Sequence, residues 1–259
     1  MKLSIILPGI RPGNWKRLYD SINTSFSEDT SQWELVIISP YQMPKAMKDK
    51  SNVKLIKDYG SPTRAQQLGL SHCTGEYVSW AADDGYYLGV SLKAAVDTLD
   101  SGAGNSLVVG RYYEGSENPF MATRKYYLIN THDGSRSKFI PNNCLMIMVG
   151  VVPRLILVEV GGWDSLNFEG LPMAFNDLSV RLNSKKVNFI FQEDMMMFRC
   201  SHMPGHQGDH GPIHDAQTEH DEHVFRGIYS QMESTQRITI DYNNWKHSPE
   251  RWIRRFGNV

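Results

Sequence analysis

Cysteine is scarce: Cys73, Cys144 and Cys200 are all the chain carries in 259 residues. Their odd number and wide spacing exclude a paired disulfide framework and a cysteine-type metal site. A reducing compartment, the cytoplasm, is the expectation. An excess of charge of one sign is also lacking. Lys and Arg number 27 against 28 Asp and Glu, a formal net charge of −1. No global field therefore draws the chain to nucleic acid or to an anionic membrane, and any anion site must be local. Long apolar runs are missing as well, since none reaches the roughly 20 residues of a transmembrane helix. The densest, "CLMIMVGVVPRLILVEV" (144–160), is broken by Pro153 and Arg154. The opening "MKLSIILPGIRPG" has neither the apolar length nor the small-residue cleavage site of a signal peptide.

What is present reads as a globular chain of one to two domains, at roughly 150 residues per domain. Hydrophobic residues make up 41%, enough to bury a sizeable core. "LSIILP" (3–8), "WELVIISP" (33–40), "NVKLIKD" (52–58), "YVSWAA" (77–82) and "SLVVGRYY" (106–113) are Ile-, Leu- and Val-rich runs that suit buried strands. Helical spacing predicts helices over 13–25, 62–72 and 89–99, the second opened by Ser61 as N-cap and Pro62 as first helical residue. Alternating strands and helices predict a mainly parallel sheet with right-handed crossovers. In such sheets ligands bind beyond the carboxyl ends of the strands. Pro8, Pro40, Asp58 and the pair Asp83-Asp84 all fall there.

The second half predicts a strand within 144–150, a helix from near Pro153 that stops at Gly161-Gly162, a helix over 172–182, and strands over 187–192 and 195–200. "SHMPGHQGDHGPIHDAQTEHDEH" (201–223) then holds six of the nine histidines. His202, His206, His210 and His214 recur every fourth residue, but Pro204, Gly205, Gly208, Gly211 and Pro212 interrupt the helix that would align them. The segment reads as a solvated loop at the active site, helical after about Ala216, rather than a zinc ladder. "HDEH" (220–223) spaces its histidines wrongly for a zincin. "SPERWIRRF" (248–256) is a short basic amphipathic helix, expected to dock on the domain, with peripheral membrane contact as the alternative. The predicted organisation is one domain over 1–230, with a nucleotide-binding half (about 1–115) and an acceptor-side half (about 116–230), and a C-terminal extension over 231–259.

Within "EYVSWAADDGYYLG" (76–89), two adjacent carboxylates end an apolar run with no Lys or Arg beside them in sequence. By itself Asp83-Asp84-Gly85 is a turn signal. At a strand end facing a ligand crevice it also suits a hard divalent cation, whose open positions phosphate oxygens fill.

Four blocks in order, "LSIILPGIRP", "TRAQQLGLSHCTGEYVSWAADDGYYL", "VPRLILVEVGGWD" and "FNDLSVRL", resemble family 2 glycosyltransferases of the GT-A fold over about residues 1 to 205. The resemblance implies an α/β fold, with a Rossmann-like, mainly parallel sheet flanked by helices and a smaller acceptor-side subregion. It implies a metal-dependent transferase, hexosyltransferase in type, moving a sugar from a nucleotide-sugar donor (a UDP-sugar is expected) to a hydroxyl of a saccharide or lipid-linked acceptor. Mn2+ or Mg2+ is the implied cofactor. The implied metal ligands are Asp84 and His202. Asp83 is the partner near the ribose, Pro8, Ile10 and Arg11 line base and ribose, and Arg64 reaches the nucleotide or its phosphates. Gly161, Gly162, Trp163 and Asp164 shape the sugar and acceptor side. Asp177 is the implied base of an inverting displacement, with Glu169 in reserve. The chain departs from the family pattern in three places: Ala81 where an aspartate is common, Ser39-Pro40 where an acidic pair is usual, and Asn176-Asp177 at the base. These leave open which base is read, whether Asp177 is the base or a structural helix residue, and whether transfer is inverting, retaining or mere hydrolysis of the donor. A nucleotidyltransferase or nucleotide-sugar hydrolase is the main rival, although "PGIRPGNWKR" lacks the glycine-rich, lysine-containing loop expected of the first. A non-catalytic nucleotide- or glycan-binding module is the third reading.

Overall fold

The computed structural model describes residues 1–114, 124–126, 144–192, 194–200, 211–229 and 239–246. The first half runs β1 (Leu3–Pro8), α1 (Trp15–Ser25), β2 (Trp33–Ser39), β3 (Val53–Lys57), α2 (Pro62–His72), β4 (Tyr77–Trp80), β5 (Gly85–Tyr87), α3 (Ser91–Asp100), β6 (Ser106–Val109) and β7 (Arg111–Glu114). The second half adds β8 (Arg124–Tyr126), β9 (Gly150–Pro153), α4 (Arg154–Glu159), α5 (Leu171–Ser184), β10 (Asn188–Phe191), β11 (Met197–Cys200), α6 (Gly211–Ala216) and α7 (Glu222–Tyr229). A π-turn over Gln217–Asp221 joins α6 to α7.

Among the described residues, seven strands form the main sheet, in the order β10-β6-β9-β4-β1-β2-β3. β1 is parallel to β2 and β4, β2 to β3, and β6 to β10. β9 runs antiparallel between β4 and β6. Alternate side chains of the central strands feed two separate cores, as the period of two in a strand requires. Ile6, Val36, Ile38, Val78 and Trp80 pack with α2 and α5 on one face. Leu3, Ile5, Leu7, Leu35 and Ile37 pack with α1 and α3 on the other. Each such aliphatic side chain, fully buried, stabilises the fold by about 1.5–3 kcal/mol. Burial on both faces is why these strands read as unbroken apolar runs.

A second sheet of four strands, β5-β11-β7-β8, stands beside the first. The run predicted as one strand over 106–113 serves both sheets. At Gly110 the backbone bonds Val149, and at Arg111 it bonds Met196, so the partners change there. The strand predicted within 144–150 begins only at Gly150. Within the histidine-rich segment, α6 already covers Gly211–Ala216, before the expected helical start at about Ala216, so Gly211 and Pro212 are accommodated in a helix.

Helix α2 carries the rim of the sheet's carboxyl edge. Ser61 Oγ accepts the Arg64 N–H at 3.1 Å and Pro62 is the first helical residue, as predicted. Gly69 lies so close to β1 that a Cβ there would overlap the Ile6 side chain. That approach sets how near the α2 N-terminus comes to the ends of β1 and β2. Helix α4 ends at Gly161 and Gly162, both with positive φ (89° and 72°), a backbone conformation natural to glycine. Among the described residues no helix is long and apolar enough to cross a membrane.

Candidate active site

β4 hands over to β5 through a short turn, and that turn holds Asp83 and Asp84. The Ala81 N–H donates to Ile6 O at 2.9 Å, which ties the turn to the end of β1. Asp83 is 2% and Asp84 6% exposed. Asp83 Oδ2 accepts two backbone N–H groups, from Ile10 and Arg11, at 2.6 Å each. The Arg11 guanidinium closes on Asp83 Oδ1, and its Nη1 lies 3.7 Å from Asp84 Oδ2. Arg17 Nη2 donates to the Asp84 carbonyl at 3.3 Å. The pair has no basic neighbour in sequence, yet it has two in space. Burial pushes the Asp83 carboxyl above its usual range, and Arg11 and the two backbone N–H groups pull against that.

Asp83 therefore pins the loop after β1, and Asp84 beside it also lines the cleft. Its oxygen donors are of the kind a hard divalent ion prefers, and one or two carboxylates plus ligand phosphates are enough for Mg2+. The residues present fit such an ion. His202, the second implied ligand, lies outside the described residues, as do His206, His210 and the segment 248–256 predicted to be a basic helix. Among the described residues no group of three His, Cys, Asp or Glu gathers into a metal-holding cluster.

The acidic pair opens onto a cleft that is continuous with solvent. It crosses the carboxyl ends of four neighbouring strands, β4, β1, β2 and β3. Asp83 and Asp84 stand at β4; Pro8, Ile10 and Arg11 at β1; Ile38 and Pro40 at β2; Asp58 at β3. Ser61, Pro62 and Ala65 of α2 and Leu171, Pro212 and Ile213 from the second half complete the wall. The crevice lies where an open α/β sheet places one, and it gathers the implied residues Pro8, Ile10, Arg11, Asp83 and Asp84.

Arg64 is engaged differently from its implied part. Its Nε lies 3.1 Å from both oxygens of Asp58 and its Nη2 2.9 Å from Oδ1, so it stands behind Asp58, which lines the cleft. Asp177 lies in the core of α5 at 0% exposure. Its Oδ2 accepts from Arg181 Nε and Nη2 at 2.9 and 2.8 Å, and its Oδ1 from the Tyr229 hydroxyl at 2.6 Å. Arg181 in turn donates to the carbonyls of Val160 and Gly162. This buried network joins α5, α7 and the end of α4, and Asp177 is not among the residues lining the cleft.

Glu169 stands two residues before the cleft residue Leu171. Its carbonyl accepts from Thr63 N and Oγ1 at the start of α2. Asp221, fully buried, holds the N–H groups of Glu169 and Gly170 at 3.0 and 2.6 Å and takes His220 Nδ1 at 2.9 Å. Burial pushes the Asp221 carboxyl up, against these bonds. The block Gly161 to Asp164 is fixed to α2 by Gln67, which donates to Gly161 O at 2.9 Å and accepts from Trp163 N at 2.7 Å. Sequence reasoning noted Asp58 as a strand end but not as a site residue, and missed Arg17 and Asp221. Position at a strand terminus just before a helix cap was the one signal for Asp58.

No protein-family model matches the sequence, and no curated protein sequence matches it. Solved structures do. S. aureus TarS 1–349 superposes with a TM-score of 0.53 at 14% identity, over 78% of this chain and 60% of that one. The same protein in complex with UDP gives 0.54 at 12% identity, over 92% and 68%. The mannosyltransferase PcManGT from Pyrobaculum calidifontis, in complex with GDP-Man and Mn2+, gives 0.60 at 14% identity, over 90% and 65%. The chain thus spans roughly three fifths to two thirds of the length of these structures. The protein has the mixed α/β fold of these glycosyltransferases.

Proposed function

We propose that the protein transfers a sugar from a nucleoside-diphosphate sugar to an acceptor hydroxyl, with a divalent metal ion and inversion at the anomeric carbon. A hexosyl group from a UDP-sugar is the favoured donor. The observation that carries this reading is the position of Asp84, at the carboxyl end of β4, on a cleft that crosses four strand ends. Asp84 would hold Mn2+ or Mg2+, with His202 as the proposed second ligand. When bound, the ion offsets the charge that develops on the departing diphosphate. Asp83 holds the loop carrying Ile10 and Arg11 against the ribose side. Arg11, within reach of both aspartates, is positioned to turn toward phosphate.

An inverting displacement needs one carboxylate to take the acceptor proton as its oxygen attacks. Asp177 has both oxygens engaged inside the core, so the proposed base is Glu169, two residues before the cleft residue Leu171 although not itself among the lining residues. A saccharide or a lipid-linked saccharide is the proposed acceptor class. The test is release of nucleoside diphosphate from a panel of nucleotide sugars, with Mn2+ and with chelator. Asp84→Ala should abolish the metal-dependent release while the protein stays folded. Release that persists unchanged in Asp84→Ala would refute the assignment.

A further inference from the structure

The main chain at Glu169 is gripped from two sides. The Glu169 carbonyl accepts from Thr63 N at 3.2 Å and from Thr63 Oγ1 at 3.0 Å. Its N–H donates to Asp221 Oδ1 at 3.0 Å, and the following N–H, that of Gly170, donates to Asp221 Oδ2 at 2.6 Å. Gly170 is the N-cap of α5, and a Cβ there would come within 3.0 Å of Asp221 Oδ2. Four hydrogen bonds from α2 and the π-turn therefore fix the stretch that leads into the cleft residue Leu171.

The Glu169 side chain has a fixed neighbour as well. Asp221 ends the π-turn. Its Oδ1, the atom that takes the Glu169 N–H, also takes His220 Nδ1 at 2.9 Å. Ring and residue are thus tied to a single oxygen. His220 Nδ1 lies 3.9 Å from Glu169 Oε1. That is too long for a hydrogen bond, but close enough for the imidazole to restrict where the carboxylate swings and, when protonated, to attract it. The side chains run from inside to outside: Asp221 is 0%, Glu169 6% and His220 39% exposed. One group aligns a second beside a third, as in sites where a base is oriented by its neighbours.

We propose that His220, held by Asp221, is a positioning residue for Glu169: it keeps the carboxylate aimed while Glu169 takes the proton of the attacking hydroxyl. A misplacement of about 1 Å at a reacting group can cost on the order of 100-fold in rate, so the contact bears on turnover. The metal and diphosphate belong to the Asp84 end, so donor binding is left untouched. The inference rests on the reading of Glu169 as the base.

A double-mutant cycle on the full chain tests it, with nucleoside diphosphate release from UDP-glucose or GDP-mannose in Mn2+ as the readout, using whichever donor turns over faster. His220→Ala, at a half-exposed site, should keep a Tm close to wild type. It should lower kcat on the order of 10- to 100-fold with the donor KM unchanged. In the Glu169→Gln background the same substitution should change kcat less than about 3-fold, since a group that acts through another adds nothing once that other is gone. His220→Asn, whose amide N–H can still donate to Asp221, should recover part of the loss. An unchanged kcat in His220→Ala overturns the proposal. A loss that multiplies in full on Glu169→Gln overturns it too, because the effect would then be structural or independent of the base. Glu169→Gln as active as wild type would instead sink the base reading, and the positioning role with it.

Discussion

Asp177 and Glu169 are both buried, and what holds each of them differs. Removing one partner of a buried ion pair leaves the other charge unpaired, at a cost of about 3–5 kcal/mol. Asp177→Asn should therefore lower Tm on the order of 10 °C, and below that Tm the folded variant should keep most of its turnover. Glu169→Gln should do the reverse. It should hold Tm close to wild type and reduce kcat by about 100- to 10,000-fold, the usual contribution of a general base. Thermal melts and single-turnover rates on the two variants decide the matter. Loss of kcat in stable Asp177→Asn, with Glu169→Gln active, would return the base to Asp177. The sequence alone left both open, because a carboxylate four residues before an arginine on a helix looks the same whether the pair faces solvent or the core. What separates them is Tyr229, 52 residues on, whose hydroxyl covers the remaining oxygen.

At the scale of elements, the sheet is held at its opposite end by a second buried carboxylate. Glu34 on β2 accepts from Ser4 Oγ on β1 at 2.6 Å, from Thr74 N and Oγ1 in the turn before β4 at 2.7 and 2.8 Å, and from Lys54 on β3 at 2.6 Å. Burial pushes its carboxyl up, but Lys54, Ser4 and Thr74 outweigh that and leave it below its usual range. A carboxyl held low stabilises the fold above its ordinary pKa of about 4.3, and that contribution is lost as pH falls through and below this value. Glu34→Gln should cost about 1–3 kcal/mol near pH 7. Its gap to wild type in denaturant titrations should narrow as pH drops below about 4. A gap independent of pH would show that the charge is not what matters. The elements themselves were largely legible. Ser61-Pro62 marked the start of α2, and the apolar runs of β1 and β2 marked strands buried on both faces. The three-residue β5 was missed because three residues carry no periodicity. The break at Gly110 was missed because it depends on Val149 and Met196, distant in sequence, as partners.

For the whole molecule, the fold brings together what the chain holds apart. Asp83 and Asp84 stood out as a pair at a strand end, and the crevice they face was expected from the topology. Arg11 on Asp83, separated by 72 residues, was not, since it depends on which strand ends become neighbours; Arg64 on Asp58 is a local contact, six residues apart. The order β4-β1-β2-β3 places Asp84 and Asp58 at opposite ends of one cleft, and the proposed metal site lies at the Asp84 end. Its direct test is a crystal grown or soaked with Mn2+ and UDP, with anomalous data collected at the manganese edge. The expected result is a manganese peak against the Asp84 carboxylate, with the diphosphate beside it. UDP bound elsewhere, or a peak away from Asp84 while that carboxylate stays without metal, would contradict the assignment.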